Sequence, residues 1–309
     1  MDQPASPPRV FVGPGDLPDL LDAAGRAGCS TVAEISEADA VVWFGKSPDD
    51  LVRVLHPGIN WLQLPDAGVE RWLAAGVLTA DRVVTSAAGT FGPQVAEHAL
   101  ALTLACLRQL PQAARASAWA PDRMRGSSLS ETVVTVVGAG DVGRCLLRLL
   151  RPLGCRTVAV TLRGAPVPEA DRSVAVDQLG AALADADVVV LAAPSTPRST
   201  GMMDGARLRT MKSTAYLINV GRGNLVVTGD LLEALDRGQL GGAALDVTDP
   251  EPLPDGHLFW SHPRVLITPH TANPPRLRRL SFARRVEDNC RRRADGQPLV
   301  GVVDPERGY

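Results

Sequence analysis

Three side chains in the C-terminal half of the chain have the types and the spacing needed for acid–base and anion chemistry. Arg222, Glu251 and His270 each follow a short apolar run, at residues 217–218, 243–245 and 265–267. Because the carboxyl ends of parallel strands line one crevice, we expect the three side chains to converge there. The arginine would bind an anion, the histidine would give a proton to a developing alkoxide, and the glutamate would tune the histidine.

Each of the three residues also has an ordinary interpretation: a surface arginine, a solvated glutamate in a proline-rich turn, and a structural histidine. Two features favour chemistry instead. Gly221 and Gly223 flank the arginine, which predicts a close approach of the backbone, and His270 ends an apolar run directly after a proline. We keep the structural interpretation for the other histidines, which are His56, His98, His257 and His262. Glu97, next to His98 on the predicted helix, is interpreted in the same way.

A glycine-rich turn predicts a second kind of site. The β-branched run 132–137 leads into Gly138-Ala139-Gly140-Asp141-Val142-Gly143 and then into the helical pattern 144–150. In such a turn the first glycine allows a tight bend, the second lets the backbone approach a pyrophosphate, and the third lets helix and strand pack closely. A glycine turn without a ligand is the alternative, but a further strand at 157–160 completes the strand–turn–helix–strand order that dinucleotide binding requires.

Composition narrows the class of protein. The chain has 309 residues, of which 45% are hydrophobic, which is enough for one large or two ordinary domains with real cores. A net charge of −2 gives no electrostatic reason to expect nucleic acid or an anionic membrane as partner. The five cysteines lack metal-binding spacing, and no apolar run approaches the roughly 18 residues of a membrane span. We therefore expect a cytoplasmic protein without a signal peptide, a structural metal or a membrane segment.

Strand and helix patterns alternate along the whole chain, which predicts an α/β protein with parallel sheets. A first set of elements, up to about residue 90, lacks a dinucleotide fingerprint. A long helical pattern from Gln94 to about Ala118 follows, then the fingerprint unit, and then a closing helix from Leu277 to Arg293. We expect the arginines of that closing helix to form a solvated face.

These motifs together resemble the D-isomer-specific 2-hydroxyacid dehydrogenase family, on its glyoxylate/hydroxypyruvate reductase side. The matching segments extend along nearly the whole chain, and the separations of 29 positions from Arg222 to Glu251 and 19 from Glu251 to His270 fit the family. Further matching segments are Trp61-Leu62-Gln63, Asp66-Ala67-Gly68-Val69, Gln94 to Leu100, Ala193 to Pro197, Asn219 to Gly223 and Gly241 to Val247.

The resemblance implies two Rossmann-like or flavodoxin-like parallel-sheet lobes with a crevice between them. Residues 1–95 and 275–309 would form the substrate-binding (catalytic) domain, and 96–274 the NAD(P)-binding Rossmann domain with a dimerisation helix. It also implies catalysis by Arg222, Glu251 and His270, and a homodimer. Cofactor contacts would come from Gly138, Gly140, Asp141, Val142, Gly143, Thr161, Arg163, Pro194, Thr196, Val220 and Asp246.

Substrate binding is expected from Arg222 and from the backbone N–H groups of Ala67 and Gly68. The residue before Ala67 is often glycine in the family and is Asp66 here, and an acid beside an anion site is unhelpful unless it points away. The expected reaction is reduction of a small 2-oxo acid to the D-2-hydroxy acid, with glyoxylate and hydroxypyruvate as the first substrates to test.

Three alternatives stay open at this point. The first is an enzyme similar to phosphoglycerate dehydrogenase, which we disfavour because the loop at Leu64-Pro65-Asp66 offers no basic residue for a second anion. The second is a formate or phosphite dehydrogenase. The third belongs to another class: a dinucleotide-sensing binding protein similar to the corepressors of this superfamily.

The end of the second fingerprint strand predicts that NADPH is preferred over NADH. A dinucleotide fold that selects NAD usually places Asp or Glu about 20 residues beyond the fingerprint, where it binds the ribose 2′-OH. Here that position is Thr161, followed by Leu162-Arg163-Gly164. A 2′-phosphate would meet the Thr161 hydroxyl and the Arg163 guanidinium instead of a repelling carboxylate.

Overall fold

The computed structural model describes residues 7–119 and 126–304, and these divide into two compact units. Among the described residues, the first unit comprises 7–91 and 275–304, and the second comprises 92–119 and 126–274. Each unit is an α/β structure built on one parallel sheet, as predicted from the alternation of strand and helix patterns.

The first unit contains five short parallel strands in the order β2-β1-β3-β4-β5, which is the flavodoxin-like order. The strands are β1 (Arg9–Gly13), β2 (Ser30–Val32), β3 (Ala40–Trp43), β4 (Trp61–Gln63) and β5 (Val83–Thr85). The helices are α1 (Pro18–Arg26), α2 (Pro48–Val54), α3 (Glu70–Ala74) and, from the end of the chain, α11 (Pro275–Ala294). The two central strands β3 and β4 are buried throughout.

The arginines of α11 form the solvated face that the sequence predicts only in part. Arg276, Arg284 and Arg291 are exposed as predicted, and Arg291 and Arg292 pair with acids four residues earlier in the same helix. Arg285 instead is buried and donates to the Ser86 carbonyl, Arg279 pairs with Asp19, and Arg278 pairs with Asp66. The prediction fails for these three because their partners lie far away in sequence, where no pattern within the helix can indicate them.

The second unit contains seven parallel strands in the order β12-β11-β10-β9-β6-β7-β8. The strands are β6 (Val133–Val137), β7 (Arg156–Thr161), β8 (Arg172–Ala175), β9 (Val188–Leu191), β10 (Tyr216–Asn219), β11 (Gly242–Leu245) and β12 (Val265–Ile267). The helices are α4 (Gly92–Leu107), α5 (Leu110–Ala114), α6 (Asp141–Leu150), α7 (Leu179–Asp185), α8 (Gly205–Thr210), α9 (Thr228–Asp236) and α10 (Leu258–Ser261).

The strand order of the second unit creates a crevice for a ligand. The chain runs outward in one direction from β6 through β7 to β8, then returns to the other side of β6 and continues from β9 to β12. This reversal between β6 and β9 is the topological switch point at which open α/β sheets bind ligands, beyond the carboxyl ends of their strands.

The long helix predicted from Gln94 to about Ala118 is two helices. α4 ends at Leu107, Gln109 adopts a left-handed φ of 51°, and α5 starts at Leu110. Pro111 accounts for the break, because proline lacks the N–H that would bond to the Leu107 carbonyl and its ring clashes with that carbonyl in a continuous helix.

Among the residues that the structure describes, no helix combines the length and the apolar character needed to span a membrane.

Candidate active site

The glycine-rich turn lies at the switch point and is packed against protein on two sides. A Cβ on Gly138, whose φ is 96°, would lie 2.7 Å from the Ala193 Cα, beyond the end of β9. A Cβ on Gly143 would lie 2.1 Å from the Gly138 carbonyl oxygen. Neither position therefore accepts a side chain. This is the tight turn and the close helix–strand packing that the sequence predicts for these two glycines.

Gly140 differs from the other two glycines because it faces open space. It is exposed and precedes α6, and a Cβ built on it would meet no heavy atom within 4 Å. None of the residues that the structure describes therefore requires glycine here, whereas a phosphate that approaches the backbone would. The residues present thus fit a dinucleotide pyrophosphate.

The side chains of two predicted cofactor residues next to Gly140 make contacts within the protein. The side chain of Asp141 accepts a hydrogen bond of 2.7 Å from the backbone N–H of Gly92, at the start of α4. Val142 is half-buried and packs on the hydrophobic core beside α4. The prediction that these two residues bind the cofactor therefore rests on their backbone N–H groups, which lie in the first turn of α6, where N–H groups have no partner within the helix.

The end of β7 offers polar groups without a carboxylate. Thr161 is the last residue of the strand, and its hydroxyl oxygen is buried with no hydrogen-bond partner among the described residues. Arg163 follows two residues later and is exposed. An orphaned buried hydroxyl costs free energy unless a ligand or water completes it, so this turn fits a polar ligand.

The loop after β9 is held by its own side chains. Ser199 donates to the Pro194 carbonyl over 2.7 Å and accepts from the backbone N–H of Thr196 over 2.8 Å. Asn224 donates to the Ser195 hydroxyl over 2.8 Å. Val220, after β10, is buried and donates to the Leu191 carbonyl. These predicted cofactor residues therefore border the switch point in a fixed conformation.

The loop that carries Arg222 is fixed on both sides. A Cβ on Gly221 would lie 2.9 Å from the Ala193 carbonyl oxygen, and one on Gly223 would lie 1.8 Å from that of Thr248. The close approach predicted from these glycines is thus to protein backbone. The buried side chain of Asn219 completes the loop, because it donates to the Arg222 carbonyl and accepts from the Gly221 N–H.

His270 and Glu251 form a hydrogen-bonded pair. His270 Nδ1 lies 2.6 Å from Glu251 Oε1, and the two side chains are 53% and 42% exposed. Among the described residues, Nε2 of His270 makes no hydrogen bond. One ring nitrogen is therefore held by a carboxylate while the other is left for a substrate, which is the arrangement of an oriented proton donor.

Each member of this pair stabilises the charged form of the other. The hydrogen bond that the His270 ring donates to Glu251 raises the pKa of His270 above its ordinary value of 6.5, against the opposing effects of burial and of the Arg222 guanidinium. The same bond lowers the pKa of Glu251, and Arg222 adds to that effect. Arg222 is therefore near enough to act electrostatically on both residues, so the structure brings the three sequence-predicted side chains together at the ends of β10, β11 and β12.

Asp246 organises the loop of His270. Burial alone would raise the pKa of this 2%-exposed carboxyl, but hydrogen bonds from His98, Thr268 and the backbone of Thr271 and Ala272 hold it below its ordinary value. The Asp246 carbonyl also accepts from the His270 N–H over 2.8 Å. His270 adopts a φ of 52°, a conformation that non-glycine residues rarely take, and these bonds hold it there.

Sequence reasoning did not assign His98 and Thr268 to the site. Thr268 Oγ1 lies 2.6 Å from Asp246 Oδ1 and 2.9 Å from His98 Nε2. His98 is structural, as predicted, but the structure it supports is the loop of His270. Only contacts across 170 positions reveal this, since nothing local to the helix indicates the partner. The prediction that Asp246 contacts the cofactor remains a prediction.

The loop predicted to bind the substrate carboxylate lies in the first unit. Ala67 is exposed and Gly68 is half-buried. The carboxylate of Asp66, whose presence beside an anion site the sequence left unexplained, is paired within the protein. Its two oxygens accept hydrogen bonds from Arg71, Arg278 and the indole N–H of Trp72.

Comparison with known proteins gives a consistent result. The family model for the NAD-binding domain of D-isomer specific 2-hydroxyacid dehydrogenases matches residues 100–272. A glyoxylate/hydroxypyruvate reductase A of Photorhabdus laumondii is 34% identical over 71% of this chain and 69% of its own length.

Two solved structures share the fold over almost the whole chain. A D-isomer specific 2-hydroxyacid dehydrogenase of Xanthobacter autotrophicus Py2, in complex with NADPH and MES, superposes with a TM-score of 0.84 at 27% identity, covering 99% of this chain and 100% of that one. An NADPH-dependent glyoxylate/hydroxypyruvate reductase of Sinorhizobium meliloti, in complex with NADP and sulfate, gives 0.82 at 27% identity, covering 98% and 100%. The chain belongs to the D-isomer specific 2-hydroxyacid dehydrogenase family.

Proposed function

We propose that this protein is an NAD(P)H-dependent reductase of small 2-oxo acids, with glyoxylate and hydroxypyruvate as its first candidate substrates. One observation carries the proposal. Arg222, Glu251 and His270 follow three neighbouring strands of the second sheet, β10, β11 and β12, and His270 is hydrogen-bonded to Glu251 over 2.6 Å. The similarity to reductases of these two acids supports the same substrates.

Each residue of the trio has one role in the proposal. When bound, the reduced nicotinamide supplies a hydride to the C2 carbon of the oxo acid. The planar guanidinium of Arg222 would bind the carboxylate and the carbonyl oxygen and so fix the orientation of C2. His270 would deliver the proton from Nε2 to that oxygen. The N–H groups of Ala67 and Gly68 remain the predicted second contact with the carboxylate.

Glu251 makes His270 a usable proton donor near neutral pH. An unperturbed histidine, with a pKa of about 6.5, is mostly neutral there. Because Glu251 raises the pKa of His270, more of the donor is present at the pH where the enzyme would work. The carboxylate itself stays ionised, since the same bond lowers its own pKa.

A substrate screen tests the proposal. The purified protein would be incubated with glyoxylate, hydroxypyruvate, pyruvate and other small 2-oxo acids and with each reduced cofactor, and cofactor oxidation would be followed by the nicotinamide absorbance. We expect turnover of at least one acid. Tight cofactor binding without turnover of any acid would instead favour the dinucleotide-sensing binding protein.

We further propose that NADPH is preferred over NADH. The support is the orphaned Thr161 hydroxyl and the exposed Arg163 at the end of β7. A hydrogen bond to a charged group contributes roughly 1.5–3 kcal/mol, which is about ten- to a hundred-fold in affinity. Arg163→Ala should therefore reduce the NADPH-to-NADH ratio of kcat/KM by that factor. The control is Arg151→Ala, which removes an exposed arginine at the opposite end of α6. An unchanged ratio in Arg163→Ala contradicts the assignment.

We also propose a homodimer formed through α4, α5 and the segment that follows. Buried residues cover one side of α4, yet Leu104, Leu110 and Trp119 are exposed, the last to 96%. Large exposed apolar side chains on one segment of the chain favour a protein interface there. Light scattering at micromolar concentration should give the mass of two chains, and a monomer would refute the dimer.

A further inference from the structure

A cluster of charged side chains surrounds Asp66 beside the proposed carboxylate loop. It consists of Asp66, Arg71, Trp72 and Arg278, and we call it the Asp66 cluster. Trp72 Nε1 donates to Asp66 Oδ2 and Arg278 Nη2 to Oδ1, both over 2.9 Å, and Arg71 also donates to Oδ2. Two guanidinium groups face one carboxylate, so the cluster carries a formal excess of one positive charge directly before Ala67.

Arg278 is the member of the cluster that is built to bind a ligand. Its guanidinium is oriented by Asp66 and by the ring of Phe44, whose centroid lies 5.5 Å from the guanidinium carbon. The side chain remains 32% exposed. Within residues 7–119 and 126–304, its single hydrogen bond is the one to Asp66, which leaves most of its five N–H donors available.

This arrangement corrects the sequence argument against a second anion. The loop Leu64-Pro65-Asp66 has no basic residue of its own, but the fold brings Arg71 and Arg278 to it, the latter across 212 positions. A planar, pre-oriented guanidinium suits a carboxylate in particular, because both present two parallel hydrogen-bonding groups.

We propose that the Asp66 cluster selects 2-oxo acids that carry a second anionic group, and that Arg278 binds that group. The inference rests on the proposed function, because it takes the neighbouring N–H groups of Ala67 and Gly68 as the hold on the first carboxylate. Asp66 acts as a positioning residue that keeps the Arg278 fork in place.

The test compares two substrates of equal chain length, 2-oxobutanedioate and 2-oxobutanoate, by kcat/KM at low ionic strength. We expect the dicarboxylate to be preferred about ten-fold or more, as one charge-assisted hydrogen bond provides. Added salt should reduce the preference, since the side chain is partly exposed and the attraction is screened.

Variants assign the preference to Arg278. Arg278→Gln should bring the ratio of kcat/KM for the two substrates close to one while turnover of 2-oxobutanoate persists. Arg278→Lys should retain part of the preference for the dicarboxylate. The matched control is Arg276→Gln, which removes an exposed arginine two residues earlier in the same helix and should leave the ratio unchanged.

The outcomes separate the two proposals. If the wild type reduces no 2-oxo acid, the proposed function fails. If it reduces monocarboxylates without preferring the dicarboxylate, or if Arg278→Gln is folded and keeps the ratio, the role of the Asp66 cluster is overturned and the proposed function stands. Should Arg278→Gln fail to fold, the wild-type ratio, its salt dependence and Arg278→Lys decide the question.

Discussion

Gly140→Ala should separate cofactor binding from folding. A Cβ at this position meets no heavy atom within 4 Å, and the backbone φ of −76° is one that alanine adopts readily. Without cofactor the variant should therefore be as stable as the wild type, to within about 1 kcal/mol. If a pyrophosphate approaches the backbone here, the added methyl group would displace it. Loss of one charge-assisted hydrogen bond would weaken binding about ten- to a hundred-fold.

Gly143→Ala should differ from Gly140→Ala, because it should lower the stability of the cofactor-free protein. Its Cβ would lie 2.1 Å from the Gly138 carbonyl oxygen, and this backbone atom cannot rotate away as a side chain would. Overpacking of this kind costs typically 1–3 kcal/mol, so the melting temperature should fall even without cofactor. Gly180→Ala, in α7 with open space around it, is the control: it should leave NADPH binding unchanged and should not lower the melting temperature, since alanine favours the helix more than glycine does.

The assay combines thermal unfolding of the cofactor-free protein with a fluorescence titration of NADPH. For Gly140→Ala we expect an unchanged melting temperature and a raised Kd. If Gly140→Ala binds NADPH as tightly as the wild type does, the backbone at Gly140 is not a phosphate contact and the cofactor site is misplaced. If the cofactor-free variant melts at a clearly lower temperature than the wild type, the fold itself requires glycine at position 140 and this explanation of Gly140 is wrong.

Three further variants test the proposed chemistry. Reductase activity should fall as the pH rises and His270 loses its proton. In Glu251→Gln this fall should occur at a lower pH, because Glu251 raises the pKa of His270 and its loss lets that pKa drop. An unmoved pH profile of kcat/KM contradicts the pairing. Arg222→Lys should lower kcat/KM about ten-fold or more, although the charge is kept, because a point charge cannot bind bidentately. Thr268→Val removes a 2.6 Å bond to the buried Asp246 and should lower kcat with little change in KM, and unaltered kinetics would show that the network does not position His270.

Two strands of the second unit and the convergence of Arg222, Glu251 and His270 were predictable from the sequence because their signals are local. β11 and β12 contain the apolar runs 243–245 and 265–267, and β11, which is buried throughout, appears in the sequence as a continuous apolar segment. The convergence of Arg222, Glu251 and His270 followed from the rule that ligands bind at the carboxyl ends of parallel strands. The observed pairing of His270 with Glu251 agrees with that expectation.

Features that depend on distant partners were not predictable in the same way. The edge strands β2, β5 and β8 are short and partly exposed, so no apolar run marks them. The pairing of Asp66 with Arg278 joins positions 212 residues apart, and nothing in either local sequence indicates it.

The most direct test of the proposed reaction is the initial rate of NADPH oxidation with hydroxypyruvate, measured side by side for the wild type and His270→Gln. NADPH titration of both proteins is the control, and their affinities should be equal. We expect measurable turnover by the wild type and a fall on the order of 100-fold in the variant, as for loss of a positioned general acid. A near-normal rate in His270→Gln would remove His270 from the mechanism and contradict the proposed chemistry.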